Sequence, residues 1–239
     1  MNSGERPELH ILETPEDAAR ECSKYILSHL AGSARRTIAL SGGSTPKLLF
    51  ADMARAQFDW SNVHFFWVDE RCVPPDNQES NFKLANDTLL SPAHVPAANI
   101  HRIYGELPPP EQARRYVDEI KQFFDLKEGQ LPVFDVLHRG MGPDAHTASL
   151  FPGSPLVHDR TGIATNVWVE KMKMDRVTLL PGVLLAAKRT VLQVAGEDKA
   201  APLHEVLNGP EDFLKYPCQI ASRDRRATWF MDRAAASKL

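Results

Sequence analysis

A carboxylate and an imidazole lie two residues apart in the segment 140–152, which reads GMGPDAHTASLFP. In such a pair Asp144 can fix the tautomer of His146 and raise its basicity, as an orienting acid does for a general base. The segment also fits the dinucleotide pattern G-x-G-x-x-[GA], a weak signal without an acidic residue at a strand end about 20 residues later. The alternative is a histidine that only caps a short helix, which Pro152 would limit to about one or two turns.

A glycine pair lies in the segment 41–46, SGGSTP, between a predicted strand and a predicted helix. Gly42 and Gly43 allow a ligand to approach the backbone closely, and the helix N-terminus presents unpaired N–H groups. Ser44 and Thr45 add hydroxyl donors, so the segment suits a phosphate group. It matches neither the Walker A pattern nor the G-x-S-x-G turn of serine hydrolases. The alternative is a tight turn in which Thr45 caps the helix.

Further charged residues lie at the ends of other predicted elements. Asp69 and Arg71 follow an apolar strand and either line a site or form a surface cluster of ion pairs with Glu70. Arg176 precedes another strand and Lys199 lies in GEDKA, where each by itself is typical of an exposed cation. Ligands of open α/β sheets bind beyond the carboxyl ends of the strands, which favours a site for the residues that follow strands.

The elements that would position these residues alternate between strands and helices. Short apolar stretches predict strands at 37–40, 63–68, 134–138, 166–169, 177–180, 191–195 and 227–231. Apolar residues at helical spacing predict helices from Pro15 to a stop at Gly32, at 47–56, after 108–110, at 183–188 and at 199–207. This alternation predicts a single α/β domain over residues 1–239, with a largely parallel sheet and helices on both faces.

Composition narrows the class of protein. The 239 residues are 43% hydrophobic and 25% charged, which is typical of a globular chain. The formal charge of −3 argues against a general nucleic-acid-binding protein, and no apolar run reaches the length of a membrane helix. Three cysteines, Cys22, Cys72 and Cys218, cannot form an even set of disulfides, which favours a reducing compartment, and they lack zinc-ligand spacing.

Five segments, in this order, resemble the 6-phosphogluconolactonase family of sugar-phosphate enzymes. They are SGGSTP (41–46), WVDERCVPPDNQESN (67–81), GMGPDAHTASLFPG (140–153), DRVTL (175–179) and GEDKA (196–200). The DER and D-x-HTASLFP segments are specific, whereas SGGSTP is shared with glucosamine-6-phosphate deaminases, relatives on the same Rossmann-like fold. Two residues depart from the family pattern. Ala145 replaces a common glycine, which matters if the loop needs a positive φ. Arg139 replaces a common leucine and is expected either to add a cation near the site or to face outward.

The resemblance implies a hydrolase of the pentose phosphate pathway that opens 6-phospho-D-glucono-1,5-lactone to 6-phosphogluconate, without a cofactor or a metal. In the mechanism we expect, His146 takes a proton from the attacking water and Asp144 orients the imidazole. Asp69 would hold sugar hydroxyls or assist the water, and Arg71 would donate to the phosphate or to the developing oxyanion. The residues that the resemblance implies for the phosphate are Gly42, Gly43, Ser44, Thr45, Arg176 and Lys199.

Two other functions stay open at this point. The deaminases, which are aldose–ketose isomerases, carry a glutamate after the histidine in an N-E-P segment, whereas residues 149–152 read SLFP and favour the lactonase. A non-catalytic sugar-phosphate sensor could keep the phosphate loop but would not need the whole acid–base set.

The partner expected from the resemblance is a small phosphosugar lactone, bound without nucleic acid or membrane by a monomer or a small homo-oligomer. No secretory signal is evident at the N-terminus, so we expect a cytoplasmic protein. The final residues Ser237-Lys238-Leu239 match a peroxisomal address, which is the alternative for a eukaryotic source.

Overall fold

A computed structural model describes residues 6–239, which form nine β-strands and six α-helices. The strands are β1 Glu8–Leu12, β2 Arg36–Leu40, β3 Val63–Trp67, β4 Asp69–Arg71, β5 Val136–Gly140, β6 Ala164–Val169, β7 Met174–Leu179, β8 Thr190–Val194 and β9 Ala227–Asp232. The helices are α1 Pro15–Leu30, α2 Ser44–Arg55, α3 Asn81–Ala85, α4 Pro109–Phe124, α5 Pro181–Ala186 and α6 Ala200–Asn208. The seven strands and the five helices whose ranges were given above are present, with shifted ends, and β1, β4 and α3 were not anticipated.

Six strands form one sheet in the order β1-β9-β8-β5-β2-β3, and every pair in it is parallel. Alternate residues of its central strands enter two different apolar cores. Val191 and Phe230 pack in the core that holds α1 and α2, whereas Leu192 and Trp229 pack in the core that holds α6. The expected α/β architecture, with helices on both faces of a largely parallel sheet, is confirmed.

The other three strands form a separate antiparallel sheet in the order β4-β7-β6. The sequence predicts Asp69 and Arg71 at the end of an apolar strand of the parallel sheet, and this detail is wrong. That strand ends at Trp67, and Val68 connects the two sheets: its N–H donates to Leu40 O and its carbonyl accepts from Leu179 N, both at 2.8 Å. The charged residues therefore begin a new strand that pairs with β7.

Local signals at the helix ends are mostly confirmed. Thr14 caps α1, its Oγ1 accepting from Asp17 N at 3.1 Å, and Pro15 is the first helical residue. The second helix begins at Ser44 rather than at residue 47, with Gly43 at φ 112° as its cap, so Thr45 is not the capping residue.

The short helix expected after Gly142 is absent, and residues 143–152 form turns instead. Two alanines of this segment have positive φ, 62° at Ala145 and 52° at Ala148, which is incompatible with a right-handed helix. Within residues 6–239, no helix has both the length and the apolar character needed to span a membrane.

Candidate active site

A cavity of about 480 Å³ opens at the carboxyl ends of β2, β5 and β8. Nine of the ten residues expected at a site line this cavity: Gly42, Gly43, Ser44, Thr45, Asp69, Arg71, His146, Arg176 and Lys199. The tenth, Asp144, lies directly behind His146. The structure thus brings together residues from five separate parts of the chain, as expected for a site at the carboxyl edge of a parallel sheet.

His146 is held from two sides. Its Nδ1 donates to Oδ1 of Asp144 at 2.5 Å, and its ring stacks on Phe151 with centroids 4.2 Å apart. Because Nδ1 is engaged, Nε2 is the ring nitrogen left to exchange a proton. The side chain is about one quarter exposed, so the imidazole is restrained but accessible.

Asp144 is the acidic partner in a three-residue chain of contacts. Its second oxygen, Oδ2, accepts from Nζ of Lys171 at 2.9 Å. Partial burial alone would raise the pKa of Asp144, but the hydrogen bonds from His146 and Lys171 hold it well below the usual range. Asp144 therefore stays ionised beside the imidazole.

The loop that carries this pair depends on close backbone packing. A Cβ at Gly142 would lie 2.0 Å from Cε1 and Nδ1 of His146, so only glycine leaves room for the ring. Ala145 N donates to Gly142 O at 3.0 Å, and Ala145 O accepts from Cys218 N at 2.9 Å. The position that the resemblance marks as glycine does have positive φ, and Ala145 adopts it at 62°.

Asp69 is buried at the bottom of the cavity, 3% exposed. Ser149 Oγ donates to its Oδ2 at 2.7 Å and Ser41 Oγ to its Oδ1 at 3.3 Å. A guanidinium nitrogen of Arg176 lies 3.7 Å from Oδ2. This carboxylate is held rigidly by groups from three segments and faces the same cavity as His146.

The side chain of Glu70 lies on the opposite side of β4 from Asp69 and Arg71, and it has a structural role. Its carboxylate accepts from Asn81 N and Phe82 N, both at 2.7 Å, and from Ser80 Oγ at 3.0 Å. These bonds fix the start of α3. They place Asn81 against Gly42, where a Cβ would lie 1.8 Å from Asn81 Oδ1.

Two arginines face the cavity from the antiparallel sheet. Arg71 and Arg176 are directly opposite residues of β4 and β7, so their side chains share one face. The Nε atoms of both are buried without a hydrogen-bond partner among the described residues. The pair concentrates positive charge on one wall.

Another part of the cavity lining is formed by the N-terminal end of α2 and by the turn after β8. Gly43 at φ 112° lets the chain enter α2 with its first N–H groups toward the cavity. Lys199 lies in the turn before α6 and pairs with Asp198, which also lines the cavity. The N-terminal end of α2, Lys199 and the two arginines together make the cavity suited to binding an anion.

Three residues of the site were not predicted from the sequence. Asn81 belongs to the matched segment 67–81 but was not singled out. Gln193, which is 2% exposed and lines the cavity, carries a signal that could have found it, a polar residue within an apolar strand. Lys171 is an exposed cation between β6 and β7, and nothing local in the sequence marks it.

Of the two alternatives for Arg139, a cation near the site or an outward-facing residue, the outward-facing one is wrong. Its side chain is fully buried and is not among the cavity-lining residues. The guanidinium donates to Thr147 Oγ1 at 3.0 Å and to Ile220 O, and Thr147 Oγ1 donates to Gly140 O at 2.9 Å. Arg139 therefore ties the residue after His146 to the neighbouring segment of the core.

Comparison with known proteins gives one family. Residues 13–229 match the sequence model of the family described as "Glucosamine-6-phosphate isomerases/6-phosphogluconolactonase". A curated relative from Synechocystis, named 6-phosphogluconolactonase, is 36% identical over 217 residues, which are 90% of this chain and 89% of the relative.

Two solved structures have the same fold. The structure titled "Crystal Structure of devB protein" is 36% identical, with a TM-score of 0.89 over 97% of this chain and 99% of that one. A monomeric glucosamine-6-phosphate deaminase is 18% identical, with a TM-score of 0.83 over 97% of this chain and 100% of that one, and shares the fold alone. By its sequence and its fold, the chain belongs to the glucosamine-6-phosphate isomerase/6-phosphogluconolactonase family.

Proposed function

We propose that the chain hydrolyses 6-phospho-D-glucono-1,5-lactone to 6-phosphogluconate, a step of the pentose phosphate pathway. The observation that carries this proposal is the oriented imidazole. His146 is bonded through Nδ1 to an ionised Asp144, and it lines the same cavity as the residues suited to binding an anion. The name of the Synechocystis relative supports the same substrate.

In the proposed reaction, His146 Nε2 takes a proton from a water molecule as the water oxygen attacks C1 of the lactone. The resulting tetrahedral intermediate collapses by breaking the bond between C1 and the ring oxygen, and that oxygen takes the proton from the imidazolium. The acid product then ionises to the carboxylate and releases a proton. General acid–base catalysis of this kind contributes about 10²–10⁴-fold.

Asp69 is proposed to position the sugar. Its carboxylate is buried, is held by two serine hydroxyls and faces the cavity that His146 also lines. A buried carboxylate of this kind accepts hydrogen bonds from sugar hydroxyls, or from the attacking water, in a fixed geometry.

The phosphate is proposed to lie between the N-terminal end of α2 and the two arginines. Gly42, Gly43, Ser44 and Thr45 would donate from the helix end, and Lys199 would add a cation. Arg71 is assigned here to the phosphate rather than to the oxyanion, because it lies beside Arg176 and a dianion relieves their repulsion. A local cluster of this kind binds an anion although the whole chain carries a charge of −3.

The residues after His146 argue against deaminase chemistry. Ser149 is buried and donates to Asp69, Leu150 is buried, and Phe151 stacks on the imidazole. None of the three supplies the carboxylic acid that the resemblance implies for a deaminase at this position.

The test is the hydrolysis of freshly generated 6-phosphogluconolactone by wild type and by His146→Gln, with an enzyme-free reaction as the blank because this lactone opens spontaneously. We expect fast wild-type turnover and a loss of about 10²-fold or more in the variant. His158→Gln is the matched control, since His158 is exposed and is not among the cavity-lining residues. Its rate should equal that of wild type.

Two outcomes would contradict the proposal. Ammonia release from glucosamine 6-phosphate without lactone hydrolysis would identify a deaminase. Phosphosugar binding without any acceleration would identify a sensor.

We propose that residues 1–239 act as one catalytic domain, as a monomer or small homo-oligomer, without a nucleic-acid partner. Cytoplasmic location is supported by the three cysteines, which are all free thiols.

A further inference from the structure

Gln193 is a buried amide that the proposed reaction does not use. It is the last residue but one of β8, is 2% exposed and lines the cavity. Neither Oε1 nor Nε2 has a hydrogen-bond partner among the described residues. Folded proteins seldom leave a buried amide unpaired, and a buried polar group that borders a cavity is placed to bond with a ligand there.

A buried imidazole lies on the same face of the sheet as this amide. His138 on β5 is fully buried, and the register of β5 with β8 pairs His138 with Val191 and Gly140 with Gln193, so His138 and Gln193 share one face of the sheet. Burial lowers the pKa of His138 to about 4, so its ring is neutral and adds no charge beside the amide. Neither ring nitrogen of His138 bonds to the amide, so both polar atoms of Gln193 are available to a ligand, and an anion takes its hydrogen bond from the donor atom, Nε2.

The same face of the sheet carries α2. Phe50 of α2 packs edge-on against His138, with centroids 6.2 Å apart. Gln193 lies two residues closer to the carboxyl edge than Val191, the partner of His138, and therefore beneath the N-terminal end of α2. Pro46 of that end lines the same cavity.

We propose that Gln193 donates an amide N–H to the phosphoryl group of the substrate and is a specificity-determining residue for phosphorylated lactones. The identity of the lactone rests on the proposed function, whereas the ligand chemistry, a phosphate dianion, does not. A lactone without phosphate leaves the amide unpaired, so Gln193 discriminates against it.

The experiment compares wild type with Gln193→Met, which keeps the side-chain length and removes both polar atoms. The probes are inorganic phosphate, followed by titration calorimetry, and 6-phosphogluconolactone, followed by steady-state kinetics. We expect phosphate affinity to fall about tenfold or more and KM to rise by a similar factor, with a smaller change in kcat, because a hydrogen bond to a charged group is lost. The melting temperature without ligand should stay equal or rise, since an unpaired amide is removed from the core.

The matched control is Gln219→Met. Gln219 is also buried, but its Nε2 donates to Pro210 O at 2.9 Å and its Oε1 accepts from Asp212 N at 2.7 Å, and it is not among the cavity-lining residues. This variant should lose stability and keep its phosphate affinity. A second variant, Gln193→Glu, has nearly the wild-type shape and should weaken phosphate binding further by presenting a carboxylate to the anion.

Unchanged phosphate affinity and unchanged KM in Gln193→Met would overturn the inference and leave Gln193 as a buried polar residue only. Weaker phosphate binding in that variant, combined with a wild type that does not open the lactone, would support the inference and refute the proposed function. The two failures are therefore distinguishable.

Discussion

Arg71 and Arg176 lie directly opposite each other where β4 pairs with β7, and both line the cavity. Like charges at opposed positions of an antiparallel pair repel each other. Burial lowers the pKa of Arg176; the nearby Asp69 carboxylate opposes this shift and Arg71 reinforces it. Asp69 compensates one of the two positive charges, and we expect a bound anion to compensate the other.

Phosphate should therefore stabilise the folded protein. At a phosphate concentration a hundredfold above Kd, the stabilisation is about 2.7 kcal/mol, or a rise in Tm of about 5–10 °C for a chain of this size. In Arg176→Met the rise, measured from the variant's own ligand-free Tm at constant ionic strength, should fall below a third of the wild-type value. Arg225→Met is the control, because Arg225 is an exposed cation outside this cavity, and an equal loss there would mean that the effect is general screening.

The carboxylate of Asp144 should matter far more than its lysine. Asp144→Asn removes the charge that orients His146 and stabilises its protonated form, so kcat should fall about 10²–10⁴-fold. Tm should fall as well, because the hydrogen bonds from His146 and Lys171 stabilise the ionised carboxylate in the folded chain. Lys171 is 61% exposed and its ion pair with Asp144 is worth about 1 kcal/mol or less, so Lys171→Met should lower kcat less than about fivefold. Steady-state kinetics on both variants is the measurement. Equal losses would show that Lys171 itself contacts the substrate.

A methyl group at residue 142 should disable the histidine without unfolding the protein. In Gly142→Ala the Cβ would lie 2.0 Å from two atoms of the His146 ring, so the imidazole must leave its bond with Asp144. We expect kcat to fall at least about 100-fold, because proton transfer depends on that geometry. Gly32→Ala is a control for added bulk alone, since nothing lies within 4 Å of a Cβ there, although its φ of 111° costs backbone strain. Full activity in Gly142→Ala would show that the ring does not act from this position.

The fully buried imidazole of His138 should make the protein less stable in acid. Its folded pKa of about 4 lies below the ordinary value of 6.5, so the unfolded chain binds a proton that the folded chain does not. This difference in proton binding does not affect the free energy of unfolding above pH 6.5. As the pH falls to 4, it lowers the free energy of unfolding by about 3 kcal/mol. In His138→Leu that part of the pH dependence should disappear from denaturant-unfolding free energies. Parallel curves for wild type and variant between pH 6.5 and 4 would contradict the assignment.

Many elements of this fold are specified by residues that are close together in the sequence. The cap at Thr14 and Pro15, the apolar strands and the glycine turns each depend on residues within a few positions of one another, so their physical signals could be read directly. The same holds for the pair Asp144 and His146, since two residues on one turn are close whatever the rest of the chain does.

Strand pairing was harder to predict because it joins distant residues. Nothing within 67–71 marks the point where the chain leaves one sheet for another; that point depends on β7, more than 100 residues later, which pairs with Asp69 and Arg71. The opposed arginines follow from this register. The burial of the Asp69 carboxylate between Ser41, Ser149 and Arg176 follows from the same register.

The α/β class, the loops at the carboxyl edge and nearly all of the candidate site follow from the residues and their spacing. Three features appear only when the chain is folded: Lys171 reaches Asp144, Arg139 is buried against Ile220, and the amide of Gln193 lies unpaired beneath α2. They differ because residue type and spacing specify only local conformation and which faces are apolar. Burial and hydrogen-bond partners depend on which distant segments pack together, and that is set by the whole chain at once.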